Sequence, residues 1–349
     1  MRIATAAVAA LLALPLAATA AAGAPPSPGQ WEVSVVDADQ GFRGLDAVDR
    51  DTAWVTGGSV SGGPGAVYRT TDGGDTWEDV RPPGSEGLSF RDVEATDADT
   101  AVVLAIGEGE SSRVYRTTDG GRTWTETFRN DDEAAFYNCI DFAPGGKVGL
   151  GVSDPVDGKF RIIRTTDGGA TWQVLPSAGM PDSTGEASFS ASGDCLTMTG
   201  RDAWFGSGGE DARVYHSSDR GLTWTAQSAA VPSGEAAGVF ALDFANKQQG
   251  LVLGGDFEDP AAGTSSRATG SGRTAGGDLT HLGEDVAWLK QGRATALAVG
   301  EGGGVGGTSL TRDGGRTWQR VSDEPFHTLE CLPSGECWAA GGNGRVGRM

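Results

Sequence analysis

The chain reads as an all-β protein, a seven-bladed β-propeller of four-stranded antiparallel blades whose N- and C-terminal strands share the closing blade. Three observations predict this. First, one string recurs five times: Arg69–Trp77 (RTTDGGDTW), Arg116–Trp124 (RTTDGGRTW), Arg164–Trp172 (RTTDGGATW), His216–Trp224 (HSSDRGLTW) and Leu310–Trp318 (LTRDGGRTW). Second, the Trp residues that end these strings lie 47, 48, 52 and 94 positions apart, and the last interval is twice the first. A fixed period of this size marks a repeat architecture, and one repeat has lost its string near residues 265–278. Third, the sequence between strings holds short β-branched and aromatic runs bounded by Gly, Asp and Pro, four to a unit.

Taken in order, residues 1–24 begin Met1-Arg2 and continue as a short apolar stretch ending in small residues. That describes a secretory signal peptide, with cleavage after Ala20, Ala22 or Ala24. Residues 25–349 form one domain, expected to be secreted or periplasmic and monomeric. The segment WEVSVVDA supplies one strand, and six units then fill about 41–321. In the first unit the strands are GLDAV, DTAWVTGG, AVYRT and, after the recurrent string, TWEDV. Residues 256–285 are crowded with Gly, Ser and Thr, so the fifth unit is expected to be irregular. The last 24 residues hold about three strands, which WEVSVVDA completes. Closing the ring in this way removes exposed sheet edges.

The recurrent string has a physical account that involves no chemistry. Asp72 sits in a tight turn, where its carboxylate accepts backbone N–H groups. Gly73 and Gly74 supply conformations that L-residues resist, and Trp77 buries a large ring between blades. Asp119 and Trp124, Asp167 and Trp172, Asp219 and Trp224, and Asp313 and Trp318 repeat the same parts. Five copies around one ring argue for structure rather than catalysis.

With these residues in place, the pattern S/T-x-D-x-G-x-T-W resembles the Asp-box, or BNR, repeat. That repeat occurs in sialidases, sortilin-type receptors, xyloglucan-degrading enzymes and photosystem II assembly factor-like propellers. More narrowly, AFYNCIDF, SDPVDGKF, MPDSTGEASFSASG and VFALDF look like an exported YVTN/BNR-like branch with a sialidase-like superfamily fold, often labelled oxidoreductase. The resemblance implies a propeller that covers the mature chain; residues 256–285 depart from it.

Four Cys in an exported chain allow two bridges and three connectivities. Cys331 and Cys337 flank the hairpin turn LPSGE and make the easiest bridge. Cys139–Cys195 is the remainder and needs two neighbouring blades to touch.

A net charge of −20 and a pI near 4.5 oppose binding to nucleic acid or insertion at anionic membranes. Alternating strand direction puts the recurrent strings on one face, here the lower. The loops leading into the inner strands, and those joining second to third strands, lie on the upper face. Lining up the inner strands pairs Phe42-Arg43, Phe90-Arg91, Phe136-Tyr137, Phe189-Ser190, Phe240-Ala241 and Phe326-His327. The Phe is read as packing and the next residue as facing the mouth. The candidate ligand-binding set is therefore Arg43, Arg91, Tyr137, Asp154, Asp157, Glu186 and His327, with the two Arg suited to a carboxylate or polar peptide.

As an enzyme the protein would use Tyr137, Asp154, Asp157 or Glu186 as a glycosidase using paired carboxylates does. No third Arg or Arg-Ile-Pro signature supports a sialidase. Gly302, Gly304 and Gly307 match G-x-G-x-x-G outside any βαβ context, so no cofactor is expected, and no Cys/His set suggests a metal. The sequence favours a binding or assembly scaffold for a protein or peptide segment, with a carbohydrate as the other partner class.

Overall fold

In the computed structural model, residues 30–269, 272–289 and 294–349 are described; the expected signal peptide lies outside them. Seven four-stranded antiparallel blades make a ring. The inner strands of blades 1 to 7 are Gln40–Ala47, Ser89–Ala95, Tyr137–Phe142, Leu196–Thr199, Gly234–Asn246, Asp285–Trp288 and Thr328–Cys331. Blade 7 continues through Cys337–Ala340 and Arg345–Arg348 and takes Glu32–Val35 as its outermost strand. Blade 5 is complete: Gly263–Thr269 pairs with Gly272–Ala275, and Thr269 lies opposite Gly272, so fewer residues separate its two outer strands than in the blades that carry the string. No described helix is long and apolar enough to cross a membrane.

A four-stranded sheet buries neither face by itself, so the cores lie between blades. Phe42, Leu45 and Val55 of blade 1 pack with Trp338 and Val346 of blade 7. Val93, Val103 and Tyr115 of blade 2 pack with Trp54 and Val67 of blade 1. The recurrent string serves these seams. In blade 1 the Asp72 carboxylate accepts hydrogen bonds from the Thr76 N–H (2.9 Å) and hydroxyl (2.6 Å), and Thr70 Oγ1 accepts the Gly74 N–H at 2.9 Å. Gly73 and Gly74 have φ of 74° and 85°. The same hydrogen bonds recur at Asp119, Asp167, Asp219 and Asp313. Trp77 then meets Trp338 of the preceding blade edge-on at 6.2 Å, and Trp124 meets Trp54 at 6.4 Å.

Two disulfides add covalent ties. Cys139–Cys195 joins the inner strand of blade 3 to the residue just before the inner strand of blade 4, and Cys331–Cys337 crosses the hairpin of blade 7.

Inner-strand carboxylates link the blades around the channel. Asp46 accepts the N–H of Ala95, Asp92 that of Ile140 (2.7 Å) and Asp141 that of Met198. Asp243 accepts the N–H of Trp288 (3.0 Å), Asp285 that of Leu329 (2.7 Å) and Glu330 that of Ala47 (2.5 Å). Each bond crosses to the next blade, so six of the seven seams are tied among the described residues. The seam between blades 4 and 5 is the exception, because Thr197 stands where Asp46 and Asp141 stand. There a short strand, Gly208–Gly209, pairs with the inner strand of blade 5, and Val239 N–H donates to the Ser207 carbonyl at 3.1 Å. Burial raises these acids: Asp46 and Asp243 to about 6, and Asp92, Glu94, Asp141, Asp285 and Glu330 well above the usual carboxylate range.

Candidate functional site

The upper mouth is built by β-bulges. In blades 1, 2, 3 and 5 the inner strand slips register at Arg43, Arg91, Asn138 and Phe240, each flanked by a buried aromatic or β-branched residue. A bulge adds one residue to a strand and re-aims its side chain. Asp194, Glu284 and His327 take the equivalent place in blades 4, 6 and 7. Tyr137, not Phe136, is thus the counterpart of Phe42 and Phe90. It is fully buried, its ring is edge-on to Phe128 at 5.3 Å, and burial pushes its hydroxyl up to about 12. Tyr137 does not reach the mouth. The sequence alignment slipped by one residue here and at Phe240, and by more at Phe189, because a bulge and an insertion leave no mark in an alternating pattern.

The insertion changes the site. The segment Ser188–Asp194 crosses the upper mouth as a crosspiece. Its Ser188 N–H donates to Asp154 Oδ1 at 2.8 Å. Arg91 Nη1 donates to the Ser190 carbonyl at 2.6 Å, and Arg43 Nη1 donates to the Ala191 carbonyl. Gly193 N–H donates to the Arg43 carbonyl at 2.9 Å, and Ser192 Oγ donates to the Glu284 carbonyl at 3.2 Å. Four blades hold it. Gly193 is required by proximity, since a Cβ there would lie 2.3 Å from Asp92 Oδ1. Burial lowers the Arg91 guanidinium to about 10, with Arg43 adding repulsion. Asp154 is raised by burial, against the pull of its Ser188 hydrogen bond, Asn138 and Arg91.

The crosspiece divides the channel. Below it lies a cavity of about 580 Å3 lined by Asp46, Glu94, Asp141, Asp194, Asp243 and Glu330. Above it lies a hollow of about 610 Å3 between Arg43, Phe189, Phe240, Phe257, Glu284 and His327. Phe189 is edge-on to Phe240 at 5.7 Å and tilted against Phe257 at 6.1 Å, and Phe257 is 52% exposed. On the opposite wall His327 Nδ1 lies 2.5 Å from Glu284 Oε2, and Nε2 lies 3.6 Å from Glu301 Oε2. Burial opposes ionisation of Glu284, yet His327 and Arg43 hold it below its ordinary range.

The expected site residues therefore separate. Arg43 and His327 line the upper hollow. Arg91 and Asp154 anchor the crosspiece. Asp157 is exposed at a hairpin tip with φ of 52°. Glu186 is buried in a short strand that pairs with Gly208–Gly209 beside blade 4, ion-paired with Arg213 and accepting the hydroxyls of Ser207 (2.5 Å) and Tyr215 (3.0 Å). The sequence missed the aromatic wall and the Glu284–His327–Glu301 group. The long loop before blade 4 was the available signal for the crosspiece.

No protein-family model and no curated protein matches the chain. Solved structures do resemble it. A structure described as YCF48 bound to D1 peptide has a TM-score of 0.64 at 17% identity, covering 93% of this chain and 96% of that one. YCF48 from Cyanidioschyzon merolae has a TM-score of 0.59 at 18% identity, covering 91% and 98%. The WD40 β-propeller domain of Doa1 has a TM-score of 0.58 at 11% identity, covering 91% and 96%. At these identities the likeness is one of fold, and the fold it supports is the seven-bladed propeller.

Proposed function

We propose that the protein is an exported scaffold that binds an extended peptide segment of a partner protein on its upper face. The observation that carries this reading is the hollow above the crosspiece: three Phe rings on one side, one of them 52% exposed, and Arg43 with the Glu284–His327 pair on the other. An apolar wall beside a few fixed polar groups suits a peptide that seats an apolar side chain and aligns its backbone. The fold likeness to a propeller described as bound to a peptide supports the same class of ligand. Two disulfides support passage through an oxidising compartment.

The test is selection of displayed random peptides on the wild-type protein and on Phe257→Asp. Wild type is expected to enrich peptides with an aromatic or large aliphatic residue, and Phe257→Asp to lose that enrichment by at least tenfold. Equal enrichment on both, or none on wild type, would refute the assignment to this face.

A further inference from the structure

Blade 5 lacks the recurrent string, and its shorter hairpin puts a different residue in the seat of the Trp. In blade 1 Arg69 pairs with Glu78, so Trp77 immediately precedes the paired residue. In blade 3 Arg164 pairs with Gln173, and Trp172 has the same place. In blade 5 Arg267 pairs with Thr274, which gives that place to Arg273. The packing agrees with the register. Trp172 meets Phe142, the residue after Asp141, at 5.7 Å. The Arg273 guanidinium lies over Phe244, the residue after Asp243, at 5.1 Å.

A guanidinium in a seat built for an indole has needs that the seat does not meet. Arg273 Nε and Nη1 are buried with no protein acceptor, and Arg273 is the one described residue with two such nitrogens. Phe244 lies parallel to Trp204 of blade 4 at 4.5 Å, and Trp204 stacks on His216 at 5.0 Å. Beside this stack is a cavity of about 190 Å3, lined by Trp204, His216, Gln227, Phe244, Lys247 and Arg273. Three basic side chains thus border it. Among the described residues their carboxylate partner is Asp202, 3.1 Å from Lys247 Nζ and 2.8 Å from His216 Nε2, and it leaves Arg273 unpaired.

We infer that this cavity between blades 4 and 5 binds a carboxylate, with Arg273 as its charge partner and Lys247 at its rim. The volume fits that class: a cavity of about 190 Å3 has room for several waters, and so for an acetate, a small dicarboxylate or a Glu side chain. Charge-assisted hydrogen bonds from buried guanidinium N–H groups are about twice as strong as neutral ones. Burial lowers the Arg273 guanidinium to about 10, and an anion in the cavity beside the guanidinium opposes that shift. The cavity lies apart from the upper hollow, so its test is independent of the peptide reading.

The experiment uses the intact, disulfide-bonded protein. Acetate, succinate and a capped tetrapeptide with one Glu are titrated at constant ionic strength against chloride, with calorimetry and thermal unfolding as readouts. Wild type is expected to show saturable binding of at least one of the three. Arg273→Gln should weaken it at least tenfold, and Phe257→Asp should leave it unchanged. Arg273→Trp, which restores the residue of the other blades, should keep the fold by circular dichroism and abolish binding. Binding of acetate or succinate alone assigns the site to a free small carboxylate, and binding of the peptide assigns it to an acidic side chain of a partner. Absence of saturable binding in wild type, or equal binding by Arg273→Gln, would overturn the inference.

Discussion

Asp243→Asn isolates the cost of a buried charge in the channel. Asp243 ties blade 5 to blade 6 by accepting the Trp288 N–H, and an Asn Oδ1 can accept the same bond. What the substitution removes is ionisation. Burial raises the Asp243 carboxyl from 3.8 to about 6, and each unit corresponds to about 1.4 kcal/mol. Between these values the folded protein holds a proton that the unfolded chain has released, so stability falls as pH rises through the window. The penalty is absent below about pH 4 and complete by about pH 8, where it reaches roughly 3 kcal/mol. Asp243→Asn should therefore unfold at higher temperature than wild type at pH 8, by about 2–6 °C for a domain of this size. At pH 4 the difference should vanish. The assay is thermal unfolding of both proteins at the two pH values with disulfides intact. A variant less stable than wild type by the same amount at both pH values would refute the reasoning, because the effect of the substitution would then not depend on ionisation of the carboxyl.

Three further outcomes follow from the geometry. Asp219→Ala removes the acceptor for Thr223, Leu222 and Ser217 in the turn of blade 4; it should lower stability by about 1–2 kcal/mol in urea unfolding and leave peptide enrichment unchanged. The turn carboxylates titrate in the opposite sense to the channel acids. Asp313 is held down to about 2, chiefly by the Thr317 N–H, so its contribution is lost as pH falls from about 4 through 2, measurable as acid unfolding. Replacing Cys139 and Cys195 together by Ala opens a tie with a sequence separation of 56; loop entropy sets the loss at about 4 kcal/mol, read as a lower unfolding temperature without reductant.

Much of the fold was legible because the recurrent string fixes the blade count and the face on which each turn lies. Blade 5 was harder to read: Arg273 occupies a Trp seat, and only the strand pairing shows it. The site was less legible than the fold. Arg43 and His327 reach the upper hollow because each directly follows the buried Phe (Phe42, Phe326) that the sequence alignment placed in the equivalent position. Tyr137 and Glu186 do not, because position along a strand does not reveal a bulge and a carboxylate in a loop does not reveal its partner. The pairing of Glu186 with Arg213 spans 27 residues, and the reach of Arg43 to Ala191 spans 148. Such contacts depend on the closed ring, and no local pattern encodes them.

Ring closure also sets an order of events for the growing chain. Blade 7 joins Glu32–Val35 to Arg345–Arg348, segments more than 300 residues apart. Blades 1 to 6 stack on neighbours as they emerge, but the last seam must wait until the far end has been made. Contacts of such separation form slowly. Until then the first strand is a solvent-facing edge whose Val33 and Val35 remain 40% and 61% exposed even in the finished fold. The period before closure is when this protein is most open to pairing with another copy of itself, and a chaperone that shields residues 32–35 would act at that step.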